Sequence, residues 1–206
     1  MSDDVSIIHL FDCASGAPIG AELRGEIGKQ QLADWETQWR PAIREIQVDL
    51  LARKVPMQEW PQSLHWRWDK KVAEMTGLLA YQGFSVVCGG VTQGLMRVDL
   101  TKSARIAEQA GKPLVYIELL ETAPWNRVDC VPIPRYKGVG SALLAACVSL
   151  SQHEGFKGRT ALHSLPRADG FYRALGMTDL GPDQHYHGQL RYFEFTTEQA
   201  AKFLGA

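Results

Sequence analysis

Arg135-Tyr136-Lys137-Gly138-Val139-Gly140-Ser141-Ala142 is the stretch on which the reading of this 206-residue chain turns. A strand-like apolar run, residues 114–122, precedes it, and an apolar helical run, residues 143–150, follows directly. Two glycines therefore open a helix, with two cations just ahead of them. Glycine lets backbone N–H groups turn toward a ligand with no Cβ in the way. A helix start carries unpaired N–H groups and the positive end of the macrodipole. Together these predict an anion site, for a phosphate or pyrophosphate, with Arg135 and Lys137 adding charge at its rim.

The two commonest phosphate loops do not fit. A P-loop needs a second glycine followed by lysine and serine or threonine, and Leu143 stands where that glycine would fall. A dinucleotide fingerprint needs a third small residue, and Leu143 occupies that position as well. The next strand-like run, residues 159–165, also ends without an acidic residue to hold a ribose. What remains is Arg-x-x-Gly-x-Gly, anchored by Arg135, Gly138 and Gly140.

That pattern resembles the coenzyme A pyrophosphate loop of the GNAT superfamily of N-acetyltransferases. A second segment, Phe171-Tyr172-Arg173-Ala174-Leu175-Gly176-Met177, is similar to the Phe-Tyr-x-x-Leu-Gly-Phe/Met segment of the same superfamily. Upstream, the run from Tyr116 to Pro124 resembles the strand that leads into the loop. The three segments stand in the superfamily's order. The resemblance covers residues 81–195, and residues before about 80 match less clearly, as the acceptor side of the superfamily varies.

Composition is consistent with a folded domain. Hydrophobic residues make up 45% and charged residues 22%, enough for a full core. The formal net charge is −1, so no broad field favours nucleic acid or an anionic membrane. No apolar run is long enough to span a bilayer, and the acidic start, Met1-Ser2-Asp3-Asp4, is unlike a signal peptide. A cytoplasmic location is expected. Cys13, Cys88, Cys130 and Cys147 are scattered and suggest neither a zinc site nor a disulfide framework. His185 and His187 have no further ligands close by in sequence, so no metal is expected.

Hydrophobic periodicity sets the remaining elements. Residues 5–11 read as a strand and the Gly-rich residues 13–28 as a loop. Leu32, Trp35, Trp39, Ile43, Ile46 and Leu50 share a helical face, with a kink or break expected just before Pro41. Pro61 suits the first turn of another helix bearing Leu64, Trp68, Val72 and Met75. Residues 83–88 and 94–100 read as strands joined by a turn at 89–93, and residues 101–111 as polar with a helical tint. After the strand at 114–122 come a helix at 141–153, a strand at 159–165, a short helix at 168–175 capped by Gly176, a strand at 190–196 and a terminal helix at 197–204. This order gives a mixed α/β sheet flanked by helices.

The resemblance implies more. It implies the GNAT fold, a mixed central sheet splayed beside the strand at 114–122, in a single domain. Residues 1–80 would form the variable acceptor side and residues 81–206 the acetyl-CoA-binding core. The cofactor would pair with backbone at Leu120 and Thr122. Its pyrophosphate would sit on Arg135, Tyr136, Lys137, Gly138, Val139, Gly140, Ser141 and Ala142. The implied reaction is direct transfer of acetyl from acetyl-CoA to a primary amine of a small molecule or peptide. The amine must lose a proton before it attacks. Glu118 and Glu121 are the candidate bases, and strand alternation puts them on opposite faces. Tyr172 is the candidate acid for the departing thiolate.

One departure from the superfamily pattern is an insert at residues 125–134, between the strand's Pro124 and Arg135. The insert's Trp125 and Asn126, with Trp66, are the candidate acceptor-binding residues. For Trp60, Trp66 and Trp68 two readings stand, core packing or a pocket wall. Two other classes of function also stand: a non-catalytic acetyl-CoA-binding regulatory module, and an acyltransferase acting on aminoacyl-tRNA. The even charge balance disfavours the second. The chain is expected to work as a monomer or homodimer.

Overall fold

In a computed structural model, described for residues 5–205, nine strands form one mixed sheet in the order β6-β1-β2-β3-β4-β5-β7-β9-β8. The acidic residues 1–4 and residue 206 lie outside the described residues, as does the side chain of His187. The strands are β1 (Val5–Asp12), β2 (Ala17–Arg24), β3 (Tyr81–Cys88), β4 (Val91–Asp99), β5 (Val115–Thr122), β6 (Tyr136–Lys137), β7 (Thr160–Ser164), β8 (Thr178–Pro182) and β9 (Arg191–Phe195). The helices are α1 (Lys29–Asp34), α2 (Arg40–Ala52), α3 (Trp68–Met75), α4 (Val139–His153), α5 (Asp169–Ala174) and α6 (Thr197–Leu204). The chain divides into two compact units.

The first unit holds residues 5–78, 83–96 and 120–143. It opens with an antiparallel hairpin, β1 on β2, paired from Val5–Arg24 to Asp12–Ala17. Half of the loop expected at 13–28, residues 17–24, is therefore a strand. Its alternating Ile19, Ala21 and Leu23 mark it as one; residues 13–16 turn, with Gly16 at φ +69°, and residues 25–28 are irregular. The long helical stretch has the irregularity expected at Pro41, as a π-helical turn at Trp35–Trp39. Arg40 N–H bonds back to Trp35 C=O, and the widened turn accommodates a proline ring that has no N–H and crowds the carbonyl four residues earlier.

The helix expected from Pro61 begins only at Trp68. Residues 61–66 instead make short turns that bring the Ser63 hydroxyl to Arg127, 2.6 Å away. The turn expected at 89–93 is tighter, two glycines at φ +59° and +76°, a conformation other residues resist.

The second unit holds residues 79–82, 97–119 and 144–205. β7 pairs in parallel with the start of β5, from Val115–Thr160 to Ile117–Leu162, where the pairing stops. β9 pairs antiparallel with β7 and with β8, a strand that the sequence reading lacked. Residues 101–111 form no α-helix, only a short 3₁₀ turn at Ala107–Gln109. The buried Glu194 carboxylate takes the N–H groups of Arg105 and Ile106 (2.8 and 3.1 Å) and the Gln109 amide (2.7 Å), holding that segment open. The terminal helix α6 forms as expected. Its Thr196 cap accepts from Gln199 N–H, while the Gln199 side chain reaches back to Thr196 N–H.

Candidate functional site

The glycine loop is pinned from two sides before its helix starts. β6 pairs with the end of β1 (Phe11–Lys137 and Asp12–Tyr136), and Cys13 N–H donates to Arg135 C=O at 2.9 Å. From the insert, Asn126 Oδ1 accepts Tyr136 N–H at 3.0 Å, and Trp125 C=O accepts Arg135 N–H at 2.8 Å. Gly138 then turns the chain at φ +95°. α4 begins at Val139, two residues earlier than expected, and Ala142 N–H bonds to Gly138 C=O. The N–H groups of Val139, Gly140 and Ser141 lie ahead of that bond, so they are the ones a helix start leaves for an anion. Tyr136 and Val139 are buried, while Arg135 and Lys137 are exposed, with the Arg135 guanidinium over the Tyr136 ring.

The start of α4 rests on a glycine of β4. A Cβ built at Gly94 would lie 2.5 Å from Val139 Cγ1 and 3.0 Å from Leu143 Cδ1. Gly94→Ala must displace the Val139 side chain, and with it Leu143 or the start of α4. Overpacking of this kind costs about 1–3 kcal/mol. A lowered midpoint in chemical denaturation is expected, and an unchanged midpoint would show that the helix start yields freely.

Glu121 sits in the same unit, 4% exposed, surrounded by donors. Trp68 Nε1 donates to Oε2 at 2.7 Å, Arg127 to Oε1 at 3.3 Å, and the Ser63 hydroxyl also bonds to it. Burial pushes the carboxyl upward, and Ser63, Arg127 and Trp68 offset only part of that push. Arg127, from the insert, also pairs with Asp129 at 3.0 Å. The insert is therefore clamped to the tryptophan-rich region through a buried carboxylate.

The expected acceptor-side residues have protein partners. Trp125 Nε1 and Asn126 Nδ2 both donate to Gln93 Oε1, at 2.8 and 2.9 Å, and Trp125 meets Trp39 edge-on. Asn126 thus bridges β4 and the loop. Trp68 is core, and Trp60 donates to Val55 C=O. Trp66 is half-buried, with the Lys71 ammonium 5.2 Å from its ring centre. A cavity of about 520 Å³ in this unit is lined by Ile7, Glu22, Arg24, Glu26, Lys29 and neighbours, and none of the expected site residues lines it.

In the second unit, Glu118 pairs with Arg97 at 2.6 Å. Tyr172 on α5 is 6% exposed and packs against Phe171 and Phe193. Burial raises its phenol, so the proton stays on the oxygen at neutral pH. The same unit holds a polar chain that the sequence reading did not single out. Tyr116 Oη lies 2.6 Å from His163 Nδ1, and His163 Nε2 lies 2.9 Å from Asp183 Oδ2. Arg105 pairs with Asp183 at 2.6 Å, and Tyr186 stacks on the His163 ring. Burial lowers His163, against the pull of Asp183, and Asp183 is held low by Arg105 and His163. No spacing signals this chain, because its members are 47 and 20 residues apart. Among the described residues no three His, Cys, Asp or Glu side chains group to hold a metal ion, and no helix is long and apolar enough to cross a membrane.

No protein-family model matches the sequence, and no curated protein matches it. Solved structures do match in shape, and they place the chain in the GNAT fold. The GNAT domain of S. lividans PAT matches 93% of this chain and 96% of its own at TM-score 0.54 and 14% identity. PaiA N-acetyltransferase from Thermoplasma acidophilum, in complex with coenzyme A, matches 84% of this chain and 97% of its own at TM-score 0.51 and 15% identity. An uncharacterized protein from Bacillus halodurans matches 98% of this chain and 96% of its own at TM-score 0.57 and 10% identity.

Proposed function

We propose that the chain is an N-acetyltransferase that binds acetyl-CoA and passes its acetyl group to a primary amine of a small molecule or peptide. The observation that carries this reading is the start of α4. There the N–H groups of Val139, Gly140 and Ser141 lie ahead of the first helical bond, behind a glycine at positive φ and beside the exposed Arg135 and Lys137. That is the chemistry a pyrophosphate needs, and a similar solved structure holds coenzyme A. Backbone at Leu120 and Thr122 would receive the pantetheine arm.

For the reaction, the amine nitrogen attacks the thioester carbonyl, its proton leaves, and the thiolate is protonated as it departs. Of the two strand carboxylates, Glu121 is the better candidate for proton abstraction, because burial raises its carboxyl and makes it the stronger base; both are paired with an arginine, Glu121 with Arg127 and Glu118 with Arg97. Tyr172 takes the acid role that the superfamily resemblance assigns it; burial raises its phenol, which holds the proton but makes it a weaker donor to a thiolate, so the role rests on the resemblance and on the Tyr172→Phe test. The acceptor side falls to Trp66 and the insert. Trp125 and Asn126 would act there through shape and through the loop they hold, since their polar atoms are already bonded.

The test is incubation with acetyl-CoA and a panel of amines, amino acids, polyamines and peptides, following release of free thiol. Binding of acetyl-CoA without thiol release from any acceptor would favour a regulatory module. Tyr172→Phe is expected to keep cofactor affinity and lower turnover by about 10²-fold, the scale of general-acid catalysis. Wild-type turnover in that variant would reduce Tyr172 to packing.

A further inference from the structure

In the first unit β1 has an open edge. On one side β1 pairs with β2 along its whole length, but on the other β6 covers only Phe11 and Asp12. Cys13 N–H points to the β6 side, toward Arg135 C=O. Backbone direction alternates along a strand, and in an antiparallel ladder one residue's N–H and C=O point the same way. The groups of Phe11, His9, Ile7 and Val5 therefore face that side too. Phe11 is taken by Lys137, and β1 has no third strand partner among the described residues. Val5, Ile7 and His9 thus present three consecutive donor–acceptor pairs to the outside.

Natural edges are usually blunted by charge, proline or a bulge. This one has none of them. Val5-Ser6-Ile7-Ile8-His9-Leu10 carries no Lys, Arg, Asp, Glu or Pro, and its register with β2 is unbroken. The outward-facing residues also show apolar side chains to solvent: Ile7 is 71% exposed, Val5 38% and Phe11 43%.

We propose that this edge pairs with the same edge of a second copy, antiparallel, about a two-fold axis at Ile7. An antiparallel edge is its own complement, and an uncharged one meets its copy without repulsion. Ile7 is the middle of the three open residues, so centring there engages all of them. Ile7 faces the partner's Ile7, and Val5 and His9 face the partner's His9 and Val5. The three pairs exchange about six N–H···O bonds. β6 limits sliding, because Phe11 is already paired. One strand edge buries less than the about 1,600 Å² of a standard interface, so a dimer of micromolar strength is expected.

Sedimentation equilibrium on the full chain, from low to high micromolar, tests this. The wild type should pass from monomer to dimer. Ile7→Lys and Ile7→Glu, changes at an exposed side chain, should melt like the wild type yet self-associate at least about tenfold more weakly, since like charges would face each other. Mixing the two variants in equal amounts should restore the dimer, because residue 7 faces residue 7. A wild type that stays monomeric, a Lys variant that dimerises like wild type, or a mixture that regains nothing would each overturn the proposal. None of these outcomes depends on whether the chain transfers acetyl groups.

Discussion

Gly138→Val is expected to abolish coenzyme A binding, weakening it by roughly 10²-fold or more. Gly138 has φ +95°, where a β-branched residue is a genuine outlier. Holding valine there costs on the order of 1–3 kcal/mol. The chain can relieve that strain only by turning φ negative, which re-aims the N–H groups of Val139, Gly140 and Ser141. Inside the protein the new side chain meets little, since Leu10 Cδ2 at 3.8 Å is the near neighbour of a Cβ at this position. The loss therefore falls on the loop's direction and on the space a pyrophosphate would fill, and much less on core packing. Calorimetric titration with coenzyme A measures it. A variant with wild-type affinity would remove the loop from the proposed site.

Glu121→Ala is expected to destabilise the fold by about 3–5 kcal/mol, the usual result of removing one member of a buried ion pair. Trp68 Nε1 and the Arg127 guanidinium would lose their shared acceptor, and the insert would lose its clamp. At this chain length the corresponding fall in melting temperature is on the order of 10 °C.

Glu121→Gln separates anchor from base. An amide keeps the shape and one acceptor oxygen but gives up the charge that faces Arg127, so the stability lost should be smaller than for Glu121→Ala but not zero, while a base would be gone and turnover should collapse. The sign of the pH dependence follows from burial, which raises the folded-state carboxyl. Stability linked to the protonated acid is then fully present below the unfolded value, about 4.3, and is lost as pH rises through the raised folded value. Wild type should therefore lose stability relative to Glu121→Gln as pH climbs from about 4 toward neutrality. A gap between the two that is constant over that range would show that Glu121 titrates normally when folded.

The elements that the sequence alone determined are those whose causes are local. The glycines at 138 and 140 with the apolar run behind them specify a turn into a helix. Gly176 at φ +86° ends α5, and Thr196 with Gln199 starts α6 through bonds spanning three residues. The missing N–H of Pro41 sets the irregularity before it. Tertiary structure decided the rest, because the deciding partner lies far along the chain. Residues 101–111 have helical composition, yet Glu194, 85 to 89 residues away, takes their backbone and amide donors. The helix expected from Pro61 gives way where Ser63 meets Arg127, 64 residues on. Trp125 and Asn126 read as free aromatic and polar groups until folding brings Gln93 beneath both. The Tyr116–His163–Asp183 chain has no sequence spacing at all and exists only because β5, β7 and the residue after β8 converge. Local backbone preference is written in neighbouring residues, whereas a buried polar group takes whichever partner the fold delivers.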